Sequence, residues 1–363
     1  MRPIILPRPA ANRETDMSKP LLLAALSLFL AGNVMAAEDD SASTEKTESS
    51  AKPAKAAKKS ADAKEEKAED KKAEPTYPDW DVAFGAGAAT DYVFRGISQS
   101  NRNPSWNSYV EFRYTPQKDV QFYAGTSIYQ IDFPNDAFAE VDFYGGVRPT
   151  FDKVVFDFGF WYYWYPGGRT YNGLEPAYLN CTNGFYTPTG GCNTLEARLD
   201  FYEVYGKATY TPDDKLTLGV AAYYSPSWLN TGAPGTYASW TAKYVLPDKN
   251  LLPDGLGWYI SGEWGNYFFG DTKDFYGNIP LPDYATWNAG LAFTYDVMTL
   301  DLRYYDTDLS EAQCNVLTGD DTATFRTKNI TDINASGLGS KWCGAAFVGK
   351  LSFDMTAKTN LLK

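Results

Sequence analysis

From Trp80 to about Met355 the chain alternates apolar and polar residues with a period of two. Met298, Leu300, Leu302 and Tyr304 make one set, and Thr299, Asp301, Arg303 and Tyr305 lie between them. A strand built this way turns one face to hydrocarbon and the other to water, as the wall of a membrane-spanning barrel does. The pattern predicts about twelve strands, near 80–97, 106–114, 120–132, 138–148, 153–165, 198–211, 215–225, 236–246, 256–268, 284–295, 297–307 and 343–355.

The connectors alternate in kind. Thr115 to Asp119, Pro149 to Asp152 and Pro212 to Asp214 are tight turns of Pro, Asp and Lys. Between them run long connectors over 166–197, 269–283 and 308–342, read here as structureless loops. A soluble domain rarely carries loops of that size, whereas bacterial barrels pair short periplasmic turns with long outer loops. The expected fold is all-β: an antiparallel up-and-down transmembrane barrel with both termini periplasmic.

Parity then assigns the faces. Val82, Phe84, Val110, Phe112, Val141, Phe143, Phe156, Phe158, Phe160, Val220, Trp258, Ile260, Leu291, Phe293, Phe347 and Phe353 fall on the lipid side. The lumen side takes ten acids: Asp81, Asp91, Glu111, Glu140, Asp142, Asp157, Glu203, Glu263, Asp301 and Asp354. It takes seven bases: Arg95, Arg113, Arg148, Lys207, Lys243, Arg303 and Lys350. An Arg or Lys facing mid-bilayer lipid costs about 2–4 kcal/mol, so charge must segregate in this way. A soluble two-sheet sandwich would also alternate, but needs no aromatic-rich outer rim.

Composition narrows the class. Aromatic residues make up 16% of the 363, with 27 Tyr and 10 Trp. No apolar run beyond the N-terminus reaches the length of a transmembrane helix. Mean hydropathy is −0.40, as expected when only half of each strand meets lipid. A net charge of −12 argues against nucleic acid as a partner.

Three zones follow. Residues 1–36 read as a start placed too far upstream plus a signal peptide, with true initiation at Met17 and cleavage after Ala36 or one residue later. The apolar stretch Leu21 to Leu30 is too short for a helical membrane anchor. Residues 37–79 are almost wholly Ala, Lys, Glu, Asp and Ser, a composition too polar to offset the entropy of folding. This zone is expected to be a disordered periplasmic linker, with a tether to peptidoglycan as the alternative. Residues 80–363 are the barrel.

Enzymatic chemistry finds little support. The chain has no histidine, which removes Ser-His-Asp triads and His-based metal sites. Gly85-Ala86-Gly87-Ala88-Ala89 superficially suggests a dinucleotide loop, but another strand segment follows where a helix should stand. Small residues there suit a thinner, curved wall. Glu140 and Asp142 could be imagined as a glycosidase pair, yet lumenal carboxylates are expected in any hydrated barrel. No cofactor and no metal is expected. The cysteines sit in long connectors, Cys181 and Cys192 in one, Cys314 and Cys343 around the other. An even count in exported loops suggests disulfides, and the local pairings Cys181–Cys192 and Cys314–Cys343 are expected.

Residues 90–100 read Thr-Asp-Tyr-Val-Phe-Arg-Gly-Ile-Ser-Gln-Ser. Through Asp91, Tyr92, Phe94, Arg95, Gly96, Ser98 and Gln99 this resembles the N-terminal signature of the TorF porin family, proteobacterial outer-membrane proteins of unestablished substrate. Tyr-Ala-Gly at 123–125 and Asp-Phe-Tyr-Gly-Gly at 142–146 extend the likeness. The resemblance implies a barrel and suggests a pore. The chain differs in its long loops, its charged linker and its Leu362-Lys363 end, where many barrels finish on an aromatic residue. On the residues alone, Asp91 and Arg95 share a strand face about 13 Å apart. They must find cross-strand partners, and Glu111 and Arg113 are the expected ones. The same charges could stiffen the wall or form a conduction constriction.

The functional expectation is an outer-membrane channel for small hydrophilic solutes or ions, weakly cation-preferring and not an enzyme. Asp91, Arg95, Glu111, Arg113, Glu140, Asp142, Arg148, Asp157, Glu263, Asp301 and Arg303 are the candidate pore lining. The competing reading is a non-conducting surface protein that binds through its disulfide-tied loops; a transporter of a hydrophobic ligand ranks third. Expected partners are outer-membrane lipid, the solutes and the barrel-assembly machinery. If the alternation of connectors is right, tags inserted near Gly191 or Gly319 will be reached by antibody on intact cells, and tags near Lys118 or Asp213 will not. Labelling confined to the short turns would invert the topology.

Overall fold

The period-two segments become strands, and the strands close on themselves. The computed structural model describes residues 77–173, 193–247 and 252–362. In it the wall comprises β1 (Asp79–Ala89), β2 (Ser105–Gln117), β3 (Val120–Tyr129), β4 (Glu140–Phe151), β5 (Val154–Trp164) and β6 (Phe201–Tyr210). It continues as β7 (Leu216–Ser225), β8 (Gly235–Val245), β9 (Leu256–Phe269), β10 (Tyr284–Tyr295), β11 (Met298–Thr307) and β12 (Ala346–Thr356). Each strand pairs antiparallel with its neighbours in sequence, and β1 pairs also with β12 from Ala83↔Thr356 to Ala89↔Lys350. The result is a closed twelve-strand antiparallel barrel. The expected initiation site, the signal peptide and most of the linker lie outside the described residues, as do Cys181 and Cys192.

One end carries tight turns. Lys118-Asp119, Asp152-Lys153 and Asp296-Val297 each link paired strands with two residues. Asp152 and Asp296 take a left-handed backbone at φ 52°, which Asp tolerates better than most residues. At the 211–215 turn, Asp213 Oδ1 accepts the backbone N–H groups of Leu216 and Lys215, both at 2.9 Å. Those two bonds hold its carboxyl below the ordinary Asp range.

The other end carries the long connectors, and two expectations change there. The first strand stops at Ala89 instead of running to residue 97, because the chain turns inward at Asp91. The connector 308–345, expected to be structureless, contains helix α1 (Glu311–Thr318). Ser310 and Gln313 cap its start reciprocally and Gly319, at φ 60°, ends it. Cys314 on α1 is bonded to Cys343 just before β12, the pairing expected from sequence, with Cα atoms 5.7 Å apart. The last strand ends at Thr356 in a π-helical turn, Ala357–Leu361.

The faces follow parity. Phe112, Phe143, Phe158, Phe160, Val220, Ile260, Phe347 and Phe353 are exposed on the outside, whereas Glu111 and Glu203 are fully buried inside. Exposed aromatic residues gather in two rims. Trp80, Phe122, Phe151, Tyr210 and Tyr295 lie near the turns; Trp106, Trp164, Tyr202, Tyr224 and Phe268 lie near the loops. Such girdles mark where a barrel meets the two membrane interfaces. Inside, glycines make room for tyrosines from adjacent strands. A Cβ at Gly125 would lie 2.5 Å from the Tyr144 ring, and one at Gly159 would lie 2.6 Å from the Tyr205 hydroxyl. Gly85 similarly receives Tyr109. The glycine-rich stretch of β1 therefore thins the wall, as the sequence suggested.

If this outer face meets lipid, Phe158→Arg near mid-wall will cost about 2–4 kcal/mol, and Tyr210→Arg at the rim about 0–1 kcal/mol. Chemical unfolding in lipid vesicles measures both. Equal costs would remove the lipid-facing assignment.

Candidate functional site

The signature 90–100 is an infolded hairpin, not a wall strand. Val93 pairs with Ser98 and Phe94 with Ile97, leaving Arg95-Gly96 as the turn. Both residues have positive φ, 46° and 84°, as a tight hairpin turn of this hand requires. A Cβ at Gly96 would collide with Thr286 on β10 and Thr307 on β11, so no larger residue fits against the wall there. The hairpin is braced at its base by Asp91. Its Oδ1 accepts Ser98 Oγ at 2.6 Å and Ser100 Oγ at 3.0 Å, and its Oδ2 accepts Arg102 Nη1 at 3.0 Å.

Arg95 at the tip reaches across the lumen to Glu203 on β6. The pair is bidentate, Nη1 to Oε1 at 2.6 Å and Nη2 to Oε2 at 2.8 Å. Nη1 also donates to the Tyr267 hydroxyl at 2.9 Å. The guanidinium carbon lies 4.3 Å from the ring centre of Tyr237, 4.6 Å from Phe94, 4.7 Å from Tyr223 and 5.0 Å from Tyr267. Tyr163 donates to Glu203 Oε2 at 3.0 Å, and Tyr284 donates to the Arg95 carbonyl at 3.0 Å. Burial alone would lower the Arg95 pKa, but the charge and hydrogen bonds of Glu203 together with Tyr267 and Tyr163 outweigh it and leave the guanidinium more firmly protonated than in water. Cation–π contacts reach about 2 kcal/mol when desolvated.

The remaining candidates form three further groups. Near the loops, Glu140 accepts Tyr92 at 2.5 Å and Tyr165 at 2.7 Å, while Asp142 accepts Ser127 at 2.9 Å. Burial, followed by the nearby charge of Glu140, pushes both tyrosine hydroxyls above their ordinary range. On β9 to β11, Glu263 accepts Tyr237 at 2.5 Å and Asn288 at 2.9 Å. Arg303 there bonds Asn288, Ser261 and Asp301. Toward the turn end, Glu111 holds Arg113 at 2.7 Å and Arg148 at 2.9 Å. Arg148 also lies 3.5 Å from Asp157, which Lys207 approaches at 3.8 Å.

All eleven candidates thus point inward, but the partners expected for two of them were wrong. Asp91 pairs with Arg102 and Arg95 with Glu203, whereas Glu111 pairs with both Arg113 and Arg148. The expectation failed because it treated a hairpin as continuous strand. The tyrosines were missed as site residues. Tyr163, Tyr223, Tyr237 and Tyr267 share the odd, inward parity of Glu203 and Glu263, and that signal was legible.

A cap lies over the hairpin. Ser98 N–H donates to the Trp342 carbonyl at 2.9 Å. Arg102 Nη2 donates to the carbonyls of Lys341, Trp342 and Gly344 at 2.7–2.9 Å. Trp342 Nε1 donates to Asn101 Oδ1 at 2.9 Å. Farther out, buried Asn193 and Asn315 exchange amide hydrogen bonds, joining two connectors. A cavity of about 40 Å³ between hairpin and cap, lined by Phe94, Ile97, Phe133, Leu199, Leu317 and Trp342, has room for only a few waters.

A family described as a bacterial protein of unknown function (Gcw_chp) matches residues 72–191, a stretch that contains the hairpin. No curated protein matches the chain by sequence. Among solved structures, the NanC porin is 8% identical with a TM-score of 0.36, over 75% of this chain and 98% of its own. A Pseudomonas aeruginosa FadL homologue is 11% identical with a TM-score of 0.36, over 76% of this chain and 89% of its own. Outer-membrane expressed OmpT of Vibrio cholerae is 11% identical with a TM-score of 0.34, over 76% and 97%. These are likenesses of architecture, and nothing of those proteins' activities is carried over.

Removing one partner of a buried ion pair costs about 3–5 kcal/mol, because the other charge is stranded. Glu203→Gln is therefore expected to destabilise the barrel strongly, and Arg95→Ala/Glu203→Gln together to cost less than the sum. Denaturant titration of the two single variants and the double variant measures the coupling; simple additivity would show that the two groups do not act as a pair.

Proposed function

We propose that the protein is a porin-like channel of the Gram-negative outer membrane, closed at its outer mouth in this state by the hairpin at 93–98. The observation that carries the reading is the source of the obstruction. Charged side chains line the wall from the turn end up to Arg95, and what fills the mouth is a connector tip held to the wall by side-chain contacts and to the cap by the Ser98–Trp342 backbone bond. A tip of that kind can be withdrawn without opening the sheet. The cargo would be small hydrophilic solutes or ions moving passively. With no histidine in the chain and its lumenal carboxylates engaged with tyrosines, serine or cations, we read no enzymatic role. Outer-membrane lipid and the assembly machinery are the proposed partners, and peptidoglycan a proposed contact of the linker. The termini would lie in the periplasm.

Selectivity would be weak. Lumenal acids outnumber bases, but Glu111, Asp157, Glu203 and Asp301 are all matched by cations in contact. Carboxylate-rich linings favour cations, and about 0.15 M salt screens exposed charge beyond roughly 8 Å. A second reading, a non-conducting surface protein, is favoured by the cap itself. The disulfide and the buried Asn193–Asn315 contact give the loops a built outer surface suited to binding.

Planar-bilayer recording tests the two. The unmodified protein is expected to be closed for most of the time. Replacing Val93–Ser98 by a short glycine linker is expected to give sustained conductance with a mild cation preference, sharpened by Arg113→Gln. Sustained anion selectivity would overturn the lining assignment. A folded, hairpin-deleted barrel that does not conduct would leave the surface-protein reading.

A further inference from the structure

Six consecutive strands each contribute one inward side chain to the surroundings of the Arg95–Glu203 pair: Tyr163, Glu203, Tyr223, Tyr237, Tyr267 and Tyr284, the last through the Arg95 carbonyl. Apart from Phe94, every group that touches this guanidinium belongs to the wall, not to the hairpin. The wall therefore contributes a carboxylate set among tyrosine rings, and with the hairpin in place that carboxylate is fully buried. The rings are held independently of Arg95 in part. Tyr237 is anchored by Glu263, Tyr163 donates to Glu203, and Tyr267 and Tyr237 meet edge to face at 5.4 Å.

We propose that this box is a binding site for small guanidinium-bearing cations, and that Arg95 occupies it as a tethered ligand. The inference rests on the reading of the barrel as a channel, and it names the class of solute such a lumen would recognise. Three features select that class. The carboxylate receives two parallel N–H donors, which a planar guanidinium presents and an ammonium or metal ion does not. The rings of Tyr223, Tyr237 and Tyr267 bind a delocalised cation through their faces. Glu203 loses the cation paired with it when the hairpin leaves, so the site has reason to fill with another. A solute with a guanidinium on a slim stem would compete with Arg95 for the box, and its arrival would favour the withdrawn hairpin. Ligand recognition and mouth opening would then be one event.

Isothermal titration calorimetry of the full-length protein in detergent, with ethylguanidinium chloride as the probe, tests this. Arg95→Ala leaves the box vacant; heat-modifiable gel mobility establishes that the barrel is folded, and Arg95→Gln serves if it is not. The variant is expected to bind ethylguanidinium at least tenfold more tightly than the unmodified protein. Adding Glu203→Gln is expected to abolish that gain. Tetramethylammonium, which has no N–H to give, is expected to bind the vacant box at least tenfold more weakly than ethylguanidinium. Equal binding by unmodified and vacant barrels, or binding that survives Glu203→Gln, would overturn the site. Equal affinity for tetramethylammonium would overturn its assignment to guanidinium. Calorimetry reads binding whether or not the barrel conducts, so a failure here is separable from a failure of the channel reading.

Discussion

The pairing of β1 with β12 is the constraint on which everything else in this molecule depends. Inside a bilayer no water is available to satisfy the edge of a sheet, so a spanning sheet must close. The register from Ala83↔Thr356 to Ala89↔Lys350 joins the first strand to the last and leaves no edge in the wall. Closure in turn divides every strand into an outer and an inner face. It forces the aromatic and aliphatic residues outward and the charges inward. It also makes the small residues of β1 useful, since Gly85 and Gly87 admit the side chains of β2 and β12 at close range.

Closure creates a second problem, which the interior solves with pairs. A lumen this narrow cannot hydrate every charge, so carboxylates and cations that face it must satisfy one another. Glu111 is shared by Arg113 and Arg148, Asp157 by Arg148 and Lys207, and Arg303 bridges Asp301 to Asn288 and Ser261. Neutral side chains serve the others, with Tyr92 and Tyr165 on Glu140, Tyr237 and Asn288 on Glu263 and Ser127 on Asp142. Such a network makes the wall rigid. It also explains why the lumen's excess of acid translates into little free charge. Among the buried acids carried on wall strands, Glu203 differs in that its cation arrives on a connector rather than on a strand.

That difference sets the loop end apart from the rest of the wall. The hairpin turns inward because Asp91 gathers Ser98, Ser100 and Arg102, and because Arg95-Gly96 accepts a left-handed turn. The cap then grips it through Arg102 and Trp342, next to the Cys314–Cys343 bond. The disulfide ties α1 to the start of β12 and so holds the segment on which the hairpin leans. A closed mouth is thus the sum of local contacts, none of them part of the barrel's own hydrogen-bond ladder.

The sequence by itself determined the barrel: twelve strands, the connectors' alternation, the inward and outward sets and the Cys314–Cys343 pairing. These are legible because strand periodicity is local and lipid tolerates no error in it. The exact partners were not legible. Asp91 and Arg95 have strand-like parity in sequence, yet the run is broken by Arg95-Gly96, whose turn becomes visible only when Phe94 meets Ile97. The helix in the last connector had a readable signal, Ser310 three residues before Gln313, but a loop-sized span hid it. The Glu203 box was beyond reach for a different reason. Its members lie on six strands over more than a hundred residues, and only the curvature and stagger of a closed sheet bring Tyr163 and Tyr284 to the same Arg95–Glu203 pair. Periodicity says which way a side chain points; closure alone decides what it meets there.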